Sequence, residues 1–185
     1  MNYYRLSDEL YKPKKRWFLG SINFDGEWDF WKYVRAGRVI PPQKELFVSV
    51  RKGGLPLDFT MADFELLIVN EKVKDLISES EVQLIPVKVA DLDLNLSLMV
   101  VNNEFDCVDE GRSIFDKWQM DDPIRPDRAG KYKSFAKMII NDALVPDGSH
   151  IFRIKNYSIT VVVSEVLKNE MEAQKVSGVK FEKLS

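Results

Sequence analysis

Two runs of aliphatic and β-branched residues constrain this chain most, because each ends on a small polar residue that opens a helical pattern. Phe64-Glu65-Leu66-Leu67-Ile68-Val69 reads as a strand and is followed by Asn70 and then EKVKDLIS. Ile159-Thr160-Val161-Val162-Val163 reads the same way and is followed by Ser164 and Glu165. Asn and Ser are N-caps because a side-chain oxygen accepts from a free amide of the first helical turn. Glu71 and Glu165 then sit at the positive end of the helix dipole. Val73, Leu76 and Ile77 make one apolar helical face, and Leu167 and Met171 make the other. A strand follows each helix: Val82–Val87, where Pro86 suggests an edge or a bulge, and one beginning at Val179-Lys180-Phe181 after Val176-Ser177-Gly178. The strand–cap–helix–strand unit thus occurs twice, 94 residues apart. Duplication and convergent strand–helix grammar both produce such a pair. The two units fit one shared core or two half-domains.

Other segments are strand-like. Tyr3, Tyr4 and Leu6 suggest an opening strand, and Trp17-Phe18-Leu19 another that Gly20 ends. Leu46, Val48 and Val50 alternate with Phe47, Ser49 and Arg51 up to the turn Lys52-Gly53-Gly54. Leu92, Leu94, Leu96 and Leu98 alternate with polar residues, which predicts a strand with one wet face. Phe135–Ile140 and Ile151–Ile154 are further strands around the turn Pro146-Asp147-Gly148. Residues 118–133, with Pro123, Pro126 and Gly130, read as a long loop. Trp28, Trp31 and Val34 recur at helical spacing before Gly37, so one short helix is expected there. Many strands, few helices and mixed order predict an α+β fold with a mixed, mostly antiparallel sheet. An aromatic, turn-rich region over residues 1–56 is expected to pack on a main domain over 57–185, the 185 residues making one unit.

Composition narrows the chemistry. One cysteine, Cys107, and one histidine, His150, exclude an intramolecular disulfide and a zinc site of four Cys or His ligands from one chain. No phosphate-binding glycine loop or G-x-S-x-G elbow occurs. His150 reads as a strand-end residue and Cys107 as a buried packing thiol with no adjacent cation to activate it. No cofactor and no metal are expected. The N-terminus, MNYYRLSDELYKPKKR, has no apolar signal region, and no apolar stretch approaches the ~18 residues of a membrane helix. A cytoplasmic protein without membrane contact is the expectation.

Charge is uneven. Residues 1–57 carry 11 Lys/Arg against 6 Asp/Glu, residues 58–122 carry 5 against 16, and residues 123–185 carry 11 against 7. No aromatic-interleaved basic run points to nucleic acid. Within the acidic middle, Glu104, Asp106, Asp109 and Glu110 are a solvated face, a protein-contact patch or a hard-cation site, although they lack EF-hand spacing. Trp28 and Trp31 are either core residues or anchors for a partner.

Leu57-Asp58-Phe59, LLIVNEKVKDLI, VQLIPV, FDCVDEGRS, HIFRI, VVVSEVLK and SGVKF, in this order over residues 57–182, resemble immunity-protein family 11. Members of that family look like a strand, Ser-Glu and helix twice, with an acidic Ser-bearing segment between and a closing Gly-Val-x-Phe. Asn70 stands where the family pattern has Ser. The resemblance implies a protein that binds and blocks a cognate toxin of a bacterial polymorphic toxin system, and it brings no catalytic residues. Under it, Glu104, Asp106, Asp109, Glu110, Trp28 and Trp31 are candidate partner-binding residues. The competing readings are a small carboxylate- or metal-dependent enzyme and a self-associating structural domain. The oligomeric state stays open.

Overall fold

Aliphatic runs that are apolar on both faces need cover on both sides, and in a computed structural model of the chain two packed sheets supply it. The structure describes residues 1–23, 30–90 and 92–184. With strands numbered in chain order, the larger sheet contains β2 (Phe18–Asn23), β3 (Leu46–Lys52), β4 (Phe59–Ala62), β5 (Leu66–Asn70), β6 (Val82–Val89) and β7 (Leu92–Val101), in the order β2-β3-β6-β7-β5-β4. The second contains β1 (Tyr3–Asp8), β8 (Glu104–Phe105), β11 (Ile151–Ile154), β12 (Tyr157–Ser164) and β13 (Val179–Lys183), in the order β13-β1-β12-β11-β8. β9 (Ile114–Lys117) and β10 (Tyr132–Lys137) form a separate two-stranded ribbon. The helices are α1 (Trp31–Val34), α2 (Glu71–Lys74) and α3 (Glu165–Ala173). Pairing is antiparallel except between β3 and β6 and between β11 and β8, so the class is α+β with mixed, mostly antiparallel sheets.

The two-residue period of each run divides its side chains between layers. Leu66, Ile68, Leu98 and Val100 fill a core enclosed by the six-stranded sheet, which curls until its edge strands β2 and β4 touch. Leu67, Val69, Met99 and Val101 point the other way, against Leu6, Ile151, Val161 and Val163 of the five-stranded sheet. Val73 of α2, Ile77 just after it, and Leu167 and Met171 of α3 join this same middle cluster. Phe152, Ile154 and Val162 face a third cluster with Cys107, Tyr132 and Ile140, beside the β9–β10 ribbon. The N-terminus is built into these layers, for β1 lies between β12 and β13.

Several local expectations change. Gly20 does not end a strand but lies within β2, where a Cβ would stand 2.5 Å from Ser49 Oγ and the register to β3 is irregular. Phe64 and Glu65 are not in a strand. They turn the chain between β4 and β5 with φ of 62° and 59°, which a tight Ala62–Leu66 pairing requires. Pro86 lies in an interior strand, yet β3 covers only Val87–Val89, so one side of Pro86 carries no ladder. β7 has a wet face only at its start. From Leu96 onward both faces are buried, because the strand runs between two apolar clusters. The strand expected over 135–140 is β10, shifted to 132–137 by pairing with β9.

Candidate functional site

The acidic segment begins on β8, which adds to the edge of the five-stranded sheet beside β11. Phe105 packs against the Phe152 ring at 5.0 Å, which holds Glu104 and Asp106 at the surface on either side. Neither makes an ion pair among the described residues. Asp109 and Glu110 are committed internally. Arg112 donates to Asp109 through Nε (2.6 Å) and its backbone N–H (3.1 Å), and these bonds hold the carboxyl below its ordinary value. Glu110 accepts from Lys117 Nζ and Tyr132 Oη, both at 2.6 Å, and is lowered for the same reason. Burial, and then the Glu110 carboxylate, push the Tyr132 hydroxyl up. The four acids therefore share one segment but not one role.

Trp31 opens α1 and is 44% exposed, whereas Tyr33 and Val34 supply the buried face. Trp28 lies outside the described residues. Phe30 tilts against Trp31 at 4.7 Å and stacks on Phe64 at 3.8 Å. Phe64 lines an open cleft of about 570 Å³ together with the apolar Phe18, Leu19 and Met61, the cationic Arg51 and Lys52 and the acidic Asp63 and Glu65. Two consecutive non-glycine residues in the left-handed region, Phe64 and Glu65, cost roughly 1–2 kcal/mol each. Such strain concentrates at functional surfaces. The cleft was missed in the sequence because β2, β3 and the β4–β5 turn meet there only when the sheet curls, and neither Gly nor Asn marks the turn.

A buried ion pair braces this cleft. Arg16, 1% exposed, reaches both Asp8 oxygens (2.6 and 2.9 Å) and Thr60 Oγ1 (2.7 Å), and its guanidinium lies 4.8 Å from the Phe18 ring centre. Asp8 Oδ2 also accepts from the Met61 N–H at 3.3 Å. The pair thus ties β1 to the edge of the six-stranded sheet.

The remaining reactive side chains have structural surroundings. Ser164 Oγ caps α3 by accepting from the Leu167 N–H at 3.2 Å and lies 2.8 Å from His150 Nδ1. Cys107 is buried, and burial pushes its thiol up to about 12, leaving it protonated and unreactive. Among the described residues no group of three or more His, Cys, Asp or Glu side chains is placed to hold a metal ion, and no helix is long and apolar enough to cross a membrane.

The model of the Immunity protein family (Imm11) matches residues 36–185, well over half of the chain. This chain belongs to the Imm11 family. The match starts earlier than the resemblance read from residue 57, just after α1, so it takes in β3 as well as the acidic segment. Imm11 membership implies a binding and inhibitory role rather than catalysis. No curated protein matches the chain.

Proposed function

We propose that this Imm11 protein binds a cognate bacterial toxin in the cytoplasm and neutralises it, as part of a polymorphic toxin system used in competition between bacteria. The observation that carries this reading is the family match over residues 36–185. The surroundings of His150 and Cys107 support it, because one is tied to a helix cap and the other is buried and protonated. Action through the molecular surface needs neither side chain free.

In this reading residues 1–56 and 57–185 act as one scaffold, supported by β1 lying between β12 and β13. β5–α2–β6 and β12–α3–β13 are its two strand–helix–strand units, sharing the cluster of Val73, Ile77, Leu167 and Met171. Glu104 and Asp106, exposed and outside any ion pair among the described residues, are the acids that meet basic residues of the toxin, with Asp109 and Glu110 shaping the segment between them. Trp31 is an aromatic anchor on the same account.

The test is co-expression with the toxin domain encoded next to this gene. Restored growth, together with a stable complex of the two purified proteins, is expected. Unrelieved toxicity, or turnover of a small molecule by this chain that one point substitution abolishes, overturns the reading.

A further inference from the structure

β13 is one edge of the five-stranded sheet, and β8 is the other. Among the described residues the backbone of Val179–Lys183 bonds to β1 alone, in a register that runs from Lys183 opposite Tyr4 to Val179 opposite Asp8. The outward N–H and C=O groups of β13 are unpaired there, and such a row is a template for another strand. Both ends of the strand are fixed. Gly178 O accepts from the Glu9 N–H at 2.9 Å, and the Leu184 N–H donates to Tyr3 O at 3.0 Å. Val179 and Phe181 are half-buried against the middle cluster, and Lys168 Nζ lies 5.9 Å from the Phe181 ring centre. Lys180 and Glu182 alternate with them on the other face of the sheet, where both are exposed and neither forms an ion pair among the described residues.

Lysines on an edge strand commonly discourage pairing. Here the order Val179-Lys180-Phe181-Glu182-Lys183 turns that device into a choice of register. Two β13 strands related by a two-fold axis normal to the sheet run antiparallel and keep each face on its own side, so their pairing is centred on one residue that meets its own copy. Centred on Lys180 or on Lys183, lysine meets lysine. Centred on Glu182, glutamate meets glutamate. Centred on Phe181, Lys180 of each copy lies opposite Glu182 of the other, and the two Phe181 residues meet at the axis. Opposite charges directly across a ladder stabilise it, and like charges destabilise it. Glu182 also lies opposite Arg5 on β1, so in this register it is flanked by a cation on either side.

From this edge we infer that β13 is a self-association surface, on which a second copy of this chain pairs its own β13 antiparallel about Phe181 and joins the two five-stranded sheets into one. The occupant is a second copy because the charge order complements itself in one register and opposes itself in the neighbouring ones. Five residues make a short edge, so the dimer is weak and forms reversibly with concentration. It leaves β8 free, because β8 is the opposite edge of each sheet, and the dimer therefore presents two copies of the Glu104 and Asp106 surface. The inference does not rest on toxin neutralisation.

The experiment is sedimentation velocity of the full chain over a wide dilution series, at low and high salt. A monomer–dimer equilibrium is expected, with less dimer at high salt because the two ion pairs are screened. K180E and E182K each replace two opposite-charge pairs by two like-charge pairs, so each weakens self-association roughly ten-fold. Mixing the two variants restores a dimer of one with the other, since the pairs are then complementary again. Urea midpoints are measured alongside. Lys180 faces Ser7 on β1, so K180E places no like charge beside it within the chain and its midpoint stays near that of the parent. Glu182 faces Arg5, so if E182K unfolds more easily, K180E alone decides. A chain that stays monomeric at every concentration, a dimer that K180E leaves unchanged, or a mixture of two folded variants that associates no better than either alone overturns the inference.

Discussion

Asp58 Oδ2 accepts from both the backbone N–H (2.7 Å) and the hydroxyl (2.8 Å) of Ser177, which lies 119 residues further along the chain. The other carboxylate oxygen accepts from Asn70 Nδ2 at 2.7 Å. One carboxylate thus joins the cap of α2 to the turn that follows α3. Burial pushes this carboxyl up, but the bonds from Ser177, Asn70 and Lys72 outweigh it and hold it below its ordinary value of 3.8. A lowered carboxyl contributes stability that is present above the unfolded-state value and is lost as pH falls through the folded one. Asp58→Asn is expected to cost about 2–3 kcal/mol at neutral pH. Its urea midpoint should also fall less than the parent's when the pH is taken below 3.8, the ordinary Asp58 value. Parallel pH profiles for the two proteins would remove Asp58 as the acid-sensitive link.

The Arg16–Asp8 pair is buried, with side chains 1% and 9% exposed. Removing one partner leaves a charge without compensation, which costs about 3–5 kcal/mol. Asp8→Ala is therefore expected to be more destabilising than the combined Asp8→Ala, Arg16→Met change. Denaturant unfolding of the single and double variants measures the difference, and simple additivity would show that the two side chains do not act as a unit.

The two helix caps differ in weight. Ser164 is fully buried and serves both the Leu167 N–H and His150, whereas Asn70 accepts from the Val73 N–H at 3.4 Å to start a helix of one turn. Ser164→Ala is expected to cost about 1–2 kcal/mol, at the upper end for a cap. Asn70→Ala also loses the bond to Asp58, so its cost should shrink when Asp58 is already Asn. A double-mutant cycle read from urea midpoints tests this coupling, and a cycle with no interaction energy contradicts it.

Two glycines with similar backbone conformations should behave differently. Gly148 has φ of 76° and nothing within 4 Å of a Cβ, so Gly148→Ala should cost only the left-handed penalty of about 1–2 kcal/mol. Gly178 has φ of 87°, and its Cβ would enter the Phe59 carbonyl and press on Leu57 at 3.1 Å. Gly178→Ala should therefore destabilise by far more or prevent folding. Comparable thermal midpoints for the two variants would mean that the β4 backbone yields to the new atom.

For the acidic segment, reversing Glu104 and Asp106 to Lys should slow association with the toxin domain and flatten its salt dependence, leaving the unfolding midpoint nearly unchanged. Reversing Asp109 and Glu110 should lower the unfolding midpoint as well, because their bonds to Arg112, Lys117 and Tyr132 are lost. Stopped-flow mixing across a salt series and urea unfolding provide the two readouts. Unchanged rates in all four reversals remove this segment from the interface.

Local order was legible in the residues because it depends on neighbours. Strand alternation, the caps at Asn70 and Ser164 and the turn at Pro146-Asp147-Gly148 all follow from side-chain geometry within a few positions. The same short-range reading failed where the cause was distant. Phe64 and Glu65 look like the start of an aliphatic strand, but hairpin closure between Ala62 and Leu66 forces both into the left-handed region. Leu92–Leu98 looks half wet along its length, and only the approach of the five-stranded sheet dries the later part.

The amino-acid order by itself determined the strand-rich class, the caps, the Imm11 pattern and the scarcity of catalytic side chains, since each is a matter of residue type and short spacing. Only the tertiary structure decided which acids stay available, how Asp58 reaches Ser177, and that Phe18, Lys52 and Phe64 border one cleft. These relationships link residues far apart in the chain, and long-range pairing is set by how whole sheets curl and pack, which no local window of sequence contains.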